Sequence, residues 1–174
     1  MATTSTTTKI QIVTFKPCFR DAFAALNKEW IQEYFELEEE DLKILNDPEG
    51  YVIKKGGEIF FAVDDSPATT NANEQDRIVG CAAMIRSDDH DGDDKRIAFE
   101  LGKMAVAPHM RGKGISRLLM EACKEFARKQ GAKEISLLTD DSLQAAMSLY
   151  LKSGFVRLPQ KQDQRYARAM SKCA

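Results

Sequence analysis

Residues 100–116, ELGKMAVAPHMRGKGIS, run from an apolar strand through a proline turn into the start of a helix. In that turn, Gly112 and Gly114 leave the backbone without side chains. A helix start has N–H groups without acceptors and a partial positive charge, so it binds anions. Three cationic side chains add to this charge: Arg111, Lys113 and Arg117. The stretch therefore predicts an anion site that suits a diphosphate, although a Gly-x-Gly turn can also have a purely conformational use.

Two common phosphate loops do not fit this turn. The Walker loop requires Lys and then Ser or Thr directly after its last glycine, but Ile115 follows Gly114. The dinucleotide-binding fingerprint requires a third glycine where Arg117 stands. The sequence therefore supports neither a nucleoside triphosphate nor NAD as the ligand.

On both sides of this stretch, the hydrophobic pattern predicts alternating strands and helices. Strands are predicted at residues 10–15, 58–63, 78–85, 99–106, 134–138, 155–158 and 165–170, and helices at residues 19–34, 37–46, 115–130 and 143–153. Residues 51–55 fit either a short strand or a turn. The long hairpins require antiparallel pairing, whereas the late strand–helix–strand units require parallel neighbours. We therefore expect an α/β fold of the mixed α+β kind, with helices on both faces of a mixed sheet.

The composition fits one globular domain. A chain of 174 residues suits a single core, which we place at residues 9–174. The Thr/Ser-rich residues 1–8 are expected to form a disordered tail, without the features of a signal peptide or anchor. A net charge of −2 and the lack of a Lys/Arg-rich run argue against nucleic-acid binding. The longest apolar run, residues 80–85, is far too short to span a membrane.

Neither the cysteines nor the acidic run at residues 88–94 indicates a metal site. The four cysteines are widely spaced and form no Cys-x-x-Cys pair, so neither a disulfide framework nor a zinc site is predicted. A cytoplasmic location fits this pattern. Residues 88–94 place carboxylates at some positions of a calcium loop, but Asp94 stands where that loop requires glycine.

The turn at residues 111–116 resembles the GNAT superfamily of acyl-CoA N-acyltransferases. It matches the family signature Arg/Gln-x-x-Gly-x-Gly/Ala, except that Ser116 stands in place of the usual Gly or Ala. A second family signature, Ala-x-x-Leu-Tyr-x-x-x-Gly-Phe, is matched in full by Ala146, Leu149, Tyr150, Gly154 and Phe155. The asparagine often found seven residues before the tyrosine is replaced by Leu143. In element order the resemblance covers nearly the whole chain.

The resemblance implies a mostly antiparallel sheet of six to seven strands and acetyl-CoA as co-substrate, and it is compatible with a homodimer. The backbone of Met104, Ala105 and Val106 would hold the pantetheine arm as an added strand, and an N–H near Met104 or Ala105 would stabilise the oxyanion. Tyr150 matches the family's general acid, although it also continues the apolar stripe of its helix. The residues that would bind the diphosphate are Arg111, Gly112, Lys113, Gly114, Ile115, Ser116 and Arg117.

The acceptor amine must lose a proton before it attacks, which costs about 4.6 kcal/mol for an alkylamine at neutral pH. Glu100 is the candidate base, because some members of the family carry their base on this strand. The alternative is that Glu100 forms an ion pair with Arg96 or Lys103. His109 fits a solvated loop histidine better than a base.

An acidic run lies at the junction of the first two predicted helices: Glu33, Glu36, Glu38, Glu39, Glu40 and Asp41. In the family this junction borders the acceptor pocket, so Tyr34, Glu36 and Glu38 are predicted to bind a cationic amine. Alternatively, these acids only favour a helix start. The sequence thus predicts an N-acetyltransferase that acts by direct attack on a primary amine of a small molecule or protein. A non-catalytic acyl-CoA-binding or sensing module on the same fold is the alternative.

Overall fold

A computed structural model describes residues 9–67, 69, 71–87, 97–159, 165–166 and 171–174. Its strands are β1 Ile10–Thr14, β2 Glu58–Asp64, β3 Ile78–Ser87, β4 Ala98–Val106, β5 Glu134–Thr139 and β6 Ser171–Cys173. Its helices are α1 Arg20–Tyr34, α2 Glu39–Asn46, α3 Ile115–Lys129 and α4 Gln144–Lys152. None of these helices combines the length and the apolar character that crossing a membrane requires.

The strands form one sheet in the order of the chain, β1 to β6. Each neighbouring pair is antiparallel except β4 and β5, which run parallel because α3 carries the chain back across the sheet between them. The mixed, mostly antiparallel sheet with helices on both faces is therefore confirmed.

The predicted count of six to seven strands is too high for full-length strands. Among the described residues, five strands have five residues or more, and β6 has only three. The strand predicted at residues 155–158 is absent: Arg157 forms only an isolated bridge with Cys173, and Val156 is 60% exposed. Pro159 follows directly and cannot donate to a ladder.

Two other predicted boundaries also change. Of the strand predicted at residues 165–170, only residues 165–166 are described, and they lie outside any strand; β6 begins later, at Ser171. Residues 51–55, which the sequence left between a strand and a turn, belong largely to a wide helical turn over Glu49–Ile53. Both segments are short, and a few apolar residues do not define a period.

The core consists of two clusters, one on each face of the sheet. Because successive side chains of a strand point to opposite faces, Phe60 and Ala62 of β2 belong to one cluster and Phe61 and Val63 to the other. The first cluster packs under α3 and α4, and the second packs under α1. Both faces of the central strands are therefore covered, which explains why β2 and β3 read as almost continuous apolar runs.

The parallel pair β4–β5 is short, so the two strands separate at one end. The two strands pair only over residues 98–101 of β4 and 134–137 of β5. Beyond that point β5 continues along β6, while β4 continues along β3 as far as Val106. In the β3–β4 register, Lys103 and Met104 together oppose the single residue Ala82, which makes a β-bulge. A gap therefore separates β4 from β5 beyond Leu101.

Candidate active site

A cavity of about 510 Å³ lies against the end of β4, beyond its pairing with β5. Its walls come from the end of β4, the turn after it, the start of α3, the start of α4 and the end of α1. The lining includes many of the residues that the sequence predicts to hold the cofactor: Met104, Ala105, Val106, Arg111, Gly112, Gly114, Ile115, Ser116 and Arg117. The edge of β4 that faces this cavity has no strand partner among the described strands.

The floor of the cavity at the start of α3 is bare backbone. Gly112 and Gly114 have φ angles of 77° and 80°, in the left-handed region that favours glycine. A Cβ built on either residue would meet no atom within 4 Å, so the space above them is open. The first turn of α3, beginning at Ile115, offers N–H groups that have no acceptor within the helix. This arrangement suits a phosphate or diphosphate.

Arg111, at the edge of this floor, is held by α1. Its guanidinium donates to both carboxylate oxygens of Glu33, with Nη1–Oε1 at 2.9 Å and Nη2–Oε2 at 2.6 Å. The hydrogen bond with Arg111 lowers the pKa of Glu33, and the same pair raises the pKa of Arg111. A hydrogen bond with Glu33 raises the pKa of the neighbouring Tyr34, which lines the cavity. The protein's own Glu33 thus holds Arg111, a cation that the sequence assigns to cofactor binding.

A second cavity, of about 80 Å³, lies on the other side of the β4 bulge. Its walls come from α1, the start of α2, β4, the end of β5 and Tyr166. Four residues line both cavities: Trp30, Met104, Leu143 and Tyr150. The two cavities therefore meet at Met104 and Tyr150.

Tyr150 lies on α4 at this junction. Its ring packs edge-on against Phe155, with centroids 6.2 Å apart. Burial raises the pKa of its phenol to about 12. The phenol therefore keeps its proton at neutral pH and can act as a hydrogen-bond donor in either cavity.

Two ion pairs lie around the smaller cavity. Glu100 accepts hydrogen bonds from both terminal nitrogens of the Arg165 guanidinium, with Nη2–Oε2 at 2.6 Å and Nη1–Oε1 at 3.4 Å. Lys103 pairs instead with Asp41, with Nζ–Oδ1 at 2.7 Å. Arg96, the other predicted partner of Glu100, lies outside the described residues. The Glu100 carboxylate thus lines the smaller cavity but is already paired with Arg165.

The acidic run at the helix junction includes the start of α2. The Glu38 side chain accepts the backbone N–H at the third position of α2, and Asp41 returns the contact to the Glu38 backbone, which forms a capping box. Glu36 is exposed, and neither Glu36 nor Glu38 lines the two cavities. His109 is also exposed, in the turn after β4.

Sequence reasoning named Asp41 only as part of the acidic run, and it missed Asp140 of the smaller cavity and Arg165, the partner of Glu100. Only Asp41 carried a signal, because Glu38 and Asp41 have the spacing of a capping box. Within the described part of the chain, no group of three or more His, Cys, Asp or Glu side chains could hold a metal ion. The calcium-like run at residues 88–94 lies outside the described residues.

Comparison with known proteins decides the family. The model of the acetyltransferase (GNAT) family matches residues 15–155. This chain belongs to the GNAT acetyltransferase family. The family assignment supports acyl-CoA-dependent acetyl transfer, and the two cavities occupy the part of the chain that carries the family's motifs.

Individual GNAT proteins agree with this assignment. N-acetyltransferase 8F1 of Rattus norvegicus is 34% identical over 90 residues, which is 52% of this chain and 40% of the rat protein. The match thus spans less than half of that relative's length. A GNAT acetyltransferase of Staphylococcus aureus Mu50 has the same fold, with a TM-score of 0.73, 18% identity, and coverage of 94% of this chain and 98% of its own. An acetyltransferase of Clostridium acetobutylicum, solved with acetyl-CoA, gives a TM-score of 0.70 at 15% identity, covering 89% and 95%.

Proposed function

We propose that this GNAT protein transfers an acetyl group from acetyl-CoA to a primary amine of a small molecule or protein by direct attack. The observation that carries the proposal is the meeting of the two cavities at Met104 and Tyr150. A thioester brought in through the larger cavity and an amine brought in through the smaller one would meet at that point.

The larger cavity fits the cofactor. The open backbone at Gly112 and Gly114 and the first turn of α3 would hold the diphosphate, with Lys113, Ser116 and Arg117 nearby. The unpaired edge of β4 at residues 104–106 would hold the pantetheine arm, because no strand in the described part of the chain pairs with that side. The cofactor supplies the activated acetyl thioester.

The residues at the junction would handle charge and protons. When the amine nitrogen bonds to the acetyl carbon, an N–H of the β4 bulge near Met104 or Ala105 stabilises the oxyanion, a contribution of typically a few kcal/mol. When the carbon–sulfur bond breaks, the Tyr150 phenol donates to the departing sulfur. Glu100 or a water molecule takes the proton that the amine loses.

The smaller cavity would receive the amine. Three carboxylates line it, Asp41, Glu100 and Asp140, and Phe35, which also lines it, is flanked in sequence by the predicted substrate residues Tyr34 and Glu36, with Glu38 close behind. Asp41 and Glu100 are paired with Lys103 and Arg165, so a cationic amine would be attracted chiefly to Asp140 and to the acidic run at the helix junction. The cavity's volume of about 80 Å³ suits an amine on a narrow chain better than a bulky one.

The test is release of free thiol from acetyl-CoA over a panel of amines, including diamines, amino acids and peptides, with longer acyl-CoAs in parallel. We expect turnover with at least one amine and little with long acyl chains. The alternative, an acyl-CoA-binding module, is favoured only by the paired state of Glu100. Such a module would bind acetyl-CoA in calorimetry and release no thiol with any amine.

A further inference from the structure

Lys103 combines two unfavourable features at one position. Its φ angle of 51° makes it a residue other than glycine in the left-handed region, and the structure describes no second one. Its side chain is only 8% exposed, and its ammonium pairs with Asp41, which is completely buried. A buried ion pair is weak evidence for stability, because desolvation opposes the attraction. Strained backbone and buried charge together more often mark a functional position.

The pair joins α2 to the bulge of β4. Asp41 is fixed at its own end, because its Oδ2 accepts the Glu38 N–H at 3.1 Å while its Oδ1 accepts from Lys103. Lys103 and Met104 are the two bulged residues. The ammonium of Lys103 also lies 3.4 Å from the Tyr166 hydroxyl and 5.6 Å from the Tyr166 ring. The Lys103 side chain is thus held by Asp41 of α2 and by Tyr166, and both of these residues line the smaller cavity.

The Lys103 backbone sets the direction of the next peptide group. The peptide between Lys103 and Met104 is planar, so its orientation follows from the torsions on either side of it. Met104 lines both cavities, at the point where the proposed oxyanion donor lies. If the Lys103 side chain were released, its backbone could relax to an ordinary strand conformation, and this would turn the Met104 amide.

We propose that Lys103 and Asp41 are positioning residues that hold the β4 bulge so that the Met104 amide faces the acetyl group. This rests on the proposed acetyl transfer. Neither side chain takes part in the chemistry; the pair acts through the backbone. Its loss should lower kcat and leave the affinity for acetyl-CoA nearly unchanged, because the diphosphate site at Gly112 and Gly114 is elsewhere.

The test uses the double variant Lys103→Met with Asp41→Asn, which leaves no unpaired buried charge. Asparagine keeps an oxygen for the Glu38 amide, so the start of α2 is preserved. We expect a melting temperature close to that of the wild type, kcat lower by about tenfold or more, and an acetyl-CoA Kd within about twofold. Lys103→Arg, which can still reach Asp41, should recover much of the rate. Lys43→Met, which removes the two ion pairs of Lys43 with Glu39 and Glu40 on the surface of α2, should change nothing.

A double variant with wild-type kcat, or one that loses rate only in proportion to acetyl-CoA affinity, would overturn the proposal. If the wild-type protein itself shows no turnover, the proposed function fails. The backbone amide NMR signals then test separately whether Lys103 and Asp41 position the Met104 amide. Large shifts at Met104 in the double variant, with none in Lys43→Met, support the positioning role. Unchanged signals at residues 102–105 contradict it.

Discussion

At the scale of single residues, Tyr150 has the clearest test. Tyr150→Phe removes the donor to the departing sulfur but keeps the ring contact with Phe155. We therefore expect kcat to fall by about 100-fold with little change in stability. Tyr51→Phe, at another tyrosine, is the control and should keep full activity. A near-normal kcat in Tyr150→Phe would leave the ring with a packing role alone.

The pH profile of kcat/KM in a Glu100 variant distinguishes a general base from an ion-pair partner. Glu100→Gln removes the carboxylate that Arg165 now holds. If Glu100 takes the amine proton, kcat/KM should fall mainly near neutral pH and recover partly at high pH, where the free amine is abundant. The measurement is kcat/KM for the best amine from pH 6.5 to pH 10. A variant with the wild-type profile would assign proton removal to water or to another group.

Individual site residues could be predicted from the sequence only where they belong to a motif. The glycines of the turn and Tyr150 follow from local spacing, and the structure brings them to one cleft. Their partners do not follow from it: Glu33 is 78 residues from Arg111, and Arg165 is 65 residues from Glu100. Ion pairs over such distances depend on how the elements pack, and hydrophobic periodicity does not report this.

At the scale of elements, the two ends of α3 provide a matched pair of glycines. Gly114 and Gly131 both have positive φ angles, 80° and 71°, and open space where a Cβ would be. Aspartate at either position has a similar backbone cost, about 1 kcal/mol. We expect Gly114→Asp to weaken acetyl-CoA binding at least tenfold in calorimetry, because it adds a negative charge to the diphosphate site. Gly131→Asp should leave that affinity unchanged, and equal losses would move the site elsewhere.

The contact between α1 and the turn at Arg111 predicts a gain of function. Glu33 competes with a phosphate for the Arg111 guanidinium, which can be fully used by only one of them. Glu33→Gln should therefore tighten acetyl-CoA binding by about two- to fivefold, an effect typical of an exposed ion pair. Glu125→Gln, which breaks an Arg–Glu pair on α3, is the control. Equal or weaker binding in Glu33→Gln would mean that Arg111 keeps Glu33 when the cofactor is bound.

Whole elements were predictable when they were long. The helices α1 and α3 and the strands β2 to β5 lie close to their predicted positions, because the helices repeat their apolar period several times and the strands are clear runs of β-forming residues. The separation of β4 from β5 was not predictable, since both strands remain regular in sequence and only their register shows where pairing stops. The position of the bulge, at Lys103 and Met104, was not predictable for the same reason.

At the scale of the whole molecule, buried neutral groups predict a loss of stability in alkali. Burial raises the pKa of both Cys81 and Tyr150 to about 12, from 9.0 and 10.0. Between those limits the unfolded chain has lost protons that the folded chain keeps, so the free energy of unfolding falls as pH rises from about 9 toward 12. Each unit of pH removes up to about 1.4 kcal/mol per group.

Urea unfolding at pH 7.5, 9 and 10.5 measures this loss. Cys81→Ala should start less stable, because it leaves a cavity, but it should lose less stability between pH 9 and pH 10.5 than the wild type. Cys18→Ala, at an exposed thiol, should follow the wild-type curve. Parallel curves for Cys81→Ala and the wild type would show that this thiol titrates normally.

The gap beyond Leu101 also bears on aggregation. An unpaired strand edge is a template for pairing with strands of other chains, and proteins usually block such edges. Here the open edge of β4 is recessed in a cavity whose walls include side chains of α1 and α4, and the bulge at Lys103 and Met104 breaks its regular spacing. A strand that belongs to another sheet cannot reach it without those walls moving apart. A single extended arm can reach this edge. The molecule therefore keeps a strand edge for ligand binding without exposing it to aggregation.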